Sequence, residues 1–202
     1  MKSKILKSGA VILILFLFMF LASSEKGIEL AASSELKTGP AVRFEELKDA
    51  AVRDLQKLIR IKSVRDNELD AALFIKGILD REHIPSRIIR FPAKPSHASL
   101  VAELPGKSET GGLILSGHLD VVEANPADWK IPPFEGRLQD GAVYGRGAVD
   151  MKGMLIMELY AFILAHRMKL PLEHKLMFLA VPGEEDRSDV GAQYLIAKHP
   201  EI

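Results

Sequence analysis

Residues 151–168 read MKGMLIMELYAFILAHRM, residues 176–181 read LMFLAV, and the tetrapeptide Pro182-Gly183-Glu184-Glu185 follows at once. The first segment is apolar on nearly every side and longer than a strand, so it predicts a buried helix, and Lys152 and Glu158 argue against a membrane span. The second is a continuous apolar run of strand length, as expected where both faces of a sheet are covered. Upstream, short apolar runs at residues 87–91, 99–104 and 113–116, bounded by Pro, Gly and Ser, predict further strands. Earlier still, Phe44, Leu47, Ala51, Leu55 and Leu58 recur at helical spacing. Ala71, Phe74, Ile75 and Ile78 do so again after the polar break at residues 62–68, which predicts two amphipathic helices. The alternation predicts an α/β domain with a mixed, mainly parallel sheet sandwiched by helices.

The composition of the 202 residues, 48% hydrophobic and 27% charged, is that of a globular protein. Lys plus Arg and Asp plus Glu both number 27, and no basic run is interleaved with aromatics, so nucleic acid is not an expected partner. The absence of Cys excludes disulfides and thiolate metal sites; a metal here must be held by His, Asp and Glu. At the amino terminus Lys2, Lys4 and Lys7 precede an apolar stretch over residues 9–22 and then Ser23, Ser24, Glu25 and Lys26. This pattern predicts an export signal cleaved near Ser24, or a membrane anchor, over residues 1–24. The expected location is exported: periplasmic, extracellular or membrane-anchored. Residues 25–42, with Ser33-Ser34 and Gly39-Pro40, read as a linker, and residues 43–202 as the folded domain.

Ligands of open α/β sheets bind at the carboxyl ends of strands. His118 and Asp120 follow the strand over residues 113–116, Glu184 and Glu185 follow the strand over 176–181, and Asp150 stands in the Gly-rich stretch before the buried helix. At i and i+2 on an extended segment, His118 and Asp120 share a face, so the carboxylate can hold one imidazole nitrogen while the other binds a metal. The common use of such a pair is plain solvated surface. Asp150 either caps the following helix or bridges two metal ions at a separation of about 3.5–4 Å. Two adjacent glutamates after a buried strand are costly unless cations compensate; the alternative is a solvated acidic turn continuing through Asp186 and Asp189. His83, His97, His166 and His174 have no partner at ligand spacing, and His199 lies with Glu201 at the end of a helix expected over about residues 189–199, so these read as surface or internally satisfied histidines.

In this order, the segments over residues 116–122, 129–134, 140–153 and 182–185 resemble the co-catalytic zinc exopeptidase and amidohydrolase family. That family includes glutamate carboxypeptidase, acetylornithine deacetylase, succinyl-diaminopimelate desuccinylase and aminoacylase. The resemblance covers residues 44–202, the amino-terminal part of the catalytic domain. It implies two divalent ions, zinc first with cobalt or manganese as alternatives, with His118 on one, Asp150 as bridge and Glu185 on the other. It implies Asp120 as the residue steering His118 and Glu184 as the catalytic acid/base. The implied activity is hydrolysis of amide or peptide bonds in small peptides or N-acyl amino acids. The family also has a further acidic ligand, a late His and a lid domain that this sequence does not reach. The resemblance therefore carries an alternative, a catalytically inactive truncated fragment that keeps part of the dimetal site. It leaves oligomeric state open.

Overall fold

The computed structural model describes residues 44–65, 67–186 and 188–202. The expected export signal over residues 1–24 and the linker over 25–42 lie outside the described residues. Among the described residues no helix is long and apolar enough to cross a membrane.

The two amphipathic repeats form α1 (Phe44–Arg60) and α2 (Leu69–Arg81). Their apolar stripes bury Leu47 and Leu58, then Ala71, Ala72, Ile75, Ile78 and Leu79. The strands are β1 (Ser86–Phe91), β2 (Lys94–Leu104) and β3 (Gly112–His118), followed by a short hairpin of β4 (Arg137–Gln139) and β5 (Ala142–Tyr144). The helix expected over residues 151–168 is α3 (Lys152–Arg167), the apolar run is β6 (Lys175–Val181), and a 3-10 turn at Ser188–Val190 leads to α4 (Ala192–Lys198). The helix expected over about residues 189–199 divides at Gly191, where an added Cβ would lie 2.2 Å from the Pro182 carbonyl oxygen.

The main sheet has four strands in the order β1-β2-β6-β3. It is mixed, as expected, but not mainly parallel among the described strands: β1–β2 and β2–β6 are antiparallel and β3–β6 is parallel. The reason is local. Only Pro92 and Ala93 separate β1 from β2, and so short a connection can only turn the chain back on itself. By contrast, β3 reaches β6 through α3, the long crossover that a parallel pair requires.

Alternation along the strands sends Leu100, Ala102, Leu104, Leu176, Phe178 and Ala180 into the larger core with the side chains of α1, α2 and α3. Val101, Met177, Leu179 and Val181 point to the opposite face, where Leu195 of α4 covers them. Helices thus lie on both faces of the sheet, and six of the seven residues of β6 are buried. Phe162 of α3 and Phe178 of β6 pack with ring centroids 6.1 Å apart.

The β4–β5 hairpin had no counterpart in the periodicity because three-residue strands carry almost no alternation. Asp140-Gly141, both at positive φ (51° and 75°), is the turn signal that would have found it.

Candidate metal centre

Parallel pairing of β3 and β6 decides where the site lies. His118 and Val181 are register partners at the carboxyl ends of the two strands. The Leu119 N–H then donates to the Val181 carbonyl at 2.7 Å, carrying the ladder one residue further. Pro182-Gly183 turns the chain, and the N–H groups of Glu184 and Glu185 donate to the Asp120 carboxylate at 3.2 and 2.8 Å. Asp120 is thereby the clamp that joins the two loops.

The third segment arrives through α3, which crosses β3 closely enough that a Cβ on Gly117 would meet Met151 Cε at 2.6 Å and Leu155 Cδ1 at 3.0 Å. Asp150 precedes this helix, and its peptide bond to Met151 is cis. The helix is capped at Met151 with no side-chain hydrogen bond, so the capping role open to Asp150 in the sequence is not the one it takes. Its carboxylate instead accepts from His118 Nε2 at 3.0 Å.

His118, Asp150 and Glu185 each present a ligand atom, and the three atoms lie within 4.8 Å of one another. Glu184 belongs to the same group, with Oε2 3.7 Å from His118 Nε2. His118 and Asp120 are buried at 4% and 2% exposure, whereas the side chains of Asp150 and Glu184 are 76% and 62% exposed. The cluster therefore has a fixed floor and an open mouth.

One expectation is modified. His118 Nδ1 is oriented chiefly by the main-chain carbonyl of Asp120, at 2.9 Å, with the nearer carboxylate oxygen at 3.6 Å. The carboxylate is committed to the two N–H groups of the glutamate turn, which leaves the carbonyl as the better-placed acceptor.

The electrostatics follow from this packing. Burial opposes the charged form of His118, but the Asp120 and Asp150 carboxylates and the Asp120 carbonyl outweigh it and raise its pKa to about 9. Burial would also raise Asp120, yet His118 and the Glu185 and Glu184 N–H groups hold it below the ordinary carboxylate range. Glu185 is pushed up, first by burial and then by the carboxylates of Asp150, Asp120 and Glu184, against the pull of His118. Mutual repulsion of this kind is what a divalent cation relieves, and one imidazole nitrogen with two carboxylates is a donor set suited to zinc or manganese. The residues fit a metal.

Sequence reasoning missed the support beneath the cluster. Ser63 donates its hydroxyl to the Leu119 carbonyl at 2.6 Å and its own carbonyl accepts from the Val121 N–H at 3.0 Å. Glu68 and His97, both fully buried, pair at 2.8 Å, and the negative charge of Asp120 is among the influences that raise Glu68, after burial. His97 is thus an internal histidine held through Nδ1 by Glu68. A buried Glu–His pair from distant segments leaves no spacing signal. Only the small, polar Ser63 at the end of an apolar helix hinted at the contact.

Residues 114–202 match the sequence pattern of peptidase family M20/M25/M40. Over those residues the chain resembles the M20 peptidases. A probable succinyl-diaminopimelate desuccinylase of Staphylococcus epidermidis is 35% identical over 145 residues, which is 71% of this chain and 35% of that protein. Among solved structures, an M20 family metallo-carboxypeptidase from Sulfolobus solfataricus shares the fold at TM-score 0.63 and 21% identity over 75% of this chain and 35% of that one. A dinuclear metal binding M20 family peptidase of Bacillus subtilis does so at TM-score 0.54 and 16% identity, over 76% and 39%. The matched family is one of peptidases and the Staphylococcus epidermidis relative is named as a desuccinylase, so both are hydrolases by name. The chain spans about a third of the length of the curated relatives it matches.

Proposed function

We propose that this chain forms the amino-terminal part of a dimetal catalytic domain that hydrolyses amide or peptide bonds in small peptides or N-acyl amino acids. The observation that carries the reading is the convergence of His118, Asp150 and Glu185, from three distant segments, with ligand atoms within 4.8 Å. His118 would hold one ion, Glu185 the other, and Asp150 would bridge them. Bound divalent ions supply Lewis acidity toward the scissile carbonyl and acidify water. The chain's own residues do the rest. Asp120 keeps His118 in one orientation through its carbonyl and fixes the glutamate turn through its carboxylate. Glu184, exposed at the mouth, takes a proton from the attacking water on a carboxylate oxygen and returns it to the leaving nitrogen. The charged start and apolar stretch over residues 9–22 support export or membrane attachment.

Zinc, cobalt and manganese should each be titrated into the full chain by calorimetry, followed by assay on a panel of N-acetylated amino acids and dipeptides. Glu184→Gln should retain metal and lose about 10²- to 10⁴-fold in turnover, the scale of a positioned acid/base. Equal turnover by Glu184→Gln and an active wild type would remove Glu184 from the mechanism. Metal binding without turnover in the wild type would favour the second reading, a fragment that keeps part of the dimetal site, for which the supporting observation is that the group holds three ligand residues among the described residues.

A further inference from the structure

Arg146 lies four residues before Asp150 and has no carboxylate partner among the described residues. Its Nη2 donates to the Glu123 main-chain carbonyl at 3.4 Å, and its Nε is buried with no acceptor. The Glu123 carboxylate pairs with Arg65 instead, at 3.7 Å. What holds the guanidinium is Trp129: the central carbon lies 5.3 Å from the indole ring centroid. Stacking uses the flat face of a guanidinium, whereas its N–H donors point outward in the plane. Trp129 therefore fixes the charge in place without consuming a donor. A half-buried cation with unused donors is costly, and the group that matches it best is a carboxylate, whose two oxygens meet two parallel N–H bonds.

The position of Arg146 makes the observation functional. The Arg146 N–H donates to the Pro133 carbonyl at 2.6 Å, which anchors the loop. Gly147 lies directly against Val121, with an added Cβ 2.8 Å from Val121 Cγ1. Glu123, whose carbonyl Arg146 touches, is three residues beyond Asp120, so their Cα atoms are at most about 11 Å apart. Asp150 follows Arg146 by four residues. The loop that carries Arg146 thus leads into Asp150 and packs on the segment that follows Asp120.

We propose that Arg146, braced by Trp129, is an anion-reading subsite that takes a carboxylate of a small ligand at the Nη edge. The choice of an N-acyl amino acid as that ligand rests on the function proposed above; the anion site itself does not.

The chain supplies its own reporter, because Trp129 is its single tryptophan. In buffer freed of metal on a chelating resin, the full chain is titrated at constant ionic strength with N-acetylalanine, with its uncharged amide, and with inorganic phosphate. A saturable change in Trp129 emission with the carboxylate alone is expected. Arg146→Met should abolish it, and Arg146→Lys, which keeps the charge but loses the paired geometry, should weaken it by about tenfold or more. No saturable response, an equal response to the amide or to phosphate, or an unchanged midpoint in Arg146→Met would each overturn the proposal. Should Arg146→Met fail to fold, the Arg146→Lys midpoint decides: unchanged affinity overturns it. A zinc isotherm on the wild type separates the two ideas. Loss of zinc binding with the anion response intact sinks the dimetal reading and leaves this subsite standing.

Discussion

Glu158 shows at the scale of one residue how burial alone sets a charge state. It lies on α3 with Oε2 buried and unpartnered, and burial raises its pKa from 4.5 to about 7. Between those two values the folded chain binds the extra proton, so stability falls as pH rises through that window and the full penalty is present above it. Glu158→Gln is expected to be more stable than wild type at about pH 8, with the advantage fading toward pH 4.5, as urea unfolding at both pH values will measure. An advantage independent of pH would mean that packing, and not charge, is responsible. Nothing in the sequence marks Glu158 as special. A Glu in an apolar helix signals only that the helix is not a membrane span, and the missing partner is a property of the packed side chain. The candidate site residues His118, Asp120, Asp150, Glu184 and Glu185 stood out for a different reason: each stands at the end of an apolar segment, where strand and helix ends come together.

Lys152 works at the scale of elements. It begins α3, yet its fully buried ammonium donates to the Leu58 carbonyl at 3.0 Å and the Ile61 carbonyl at 2.7 Å, at the end of α1. Each of these carbonyls also accepts a main-chain N–H, from Ile61 and Ser63, so Lys152 adds a second donor to each, and a positive charge there also complements the helix dipole. Burial pulls the Lys152 pKa down to about 7, but a neutral amine still donates, so the link between the helices survives deprotonation. Lys152→Met leaves two carbonyls without this donor and should lower unfolding free energy by about 1–3 kcal/mol, measured by urea denaturation. A change near zero would show that water replaces the amine at no cost. Element existence was largely readable: both amphipathic helices, the buried helix and the strand after it have strong periodicity or length. Boundaries were not. β2 begins at Lys94 and includes Pro95, a residue that argues against a strand, and α4 begins only after Gly191, which packs against Pro182.

Across the whole molecule, the fully buried Glu68–His97 pair ties the start of α2 to β2, beneath the Asp120 loop. Breaking such a pair strands a polar group in the core, so Glu68→Ala should cost about 3–5 kcal/mol and loosen the loop that carries Asp120. Thermal unfolding and a zinc isotherm on the variant check both effects. Full stability would place the pair among replaceable core contacts. By itself the sequence determined that the chain alternates helices and strands, that no thiolate takes part, and which five side chains stand at segment ends, because hydrophobic period and residue chemistry are local. The tertiary structure alone decided that two of the three strand pairings in the main sheet are antiparallel, that α3 brings Asp150 onto His118, and that a guanidinium rests on Trp129 with no acid to meet it among the described residues. Strand order and the meeting of distant side chains depend on how layers pack, and packing is a property of the assembled chain rather than of any stretch of it.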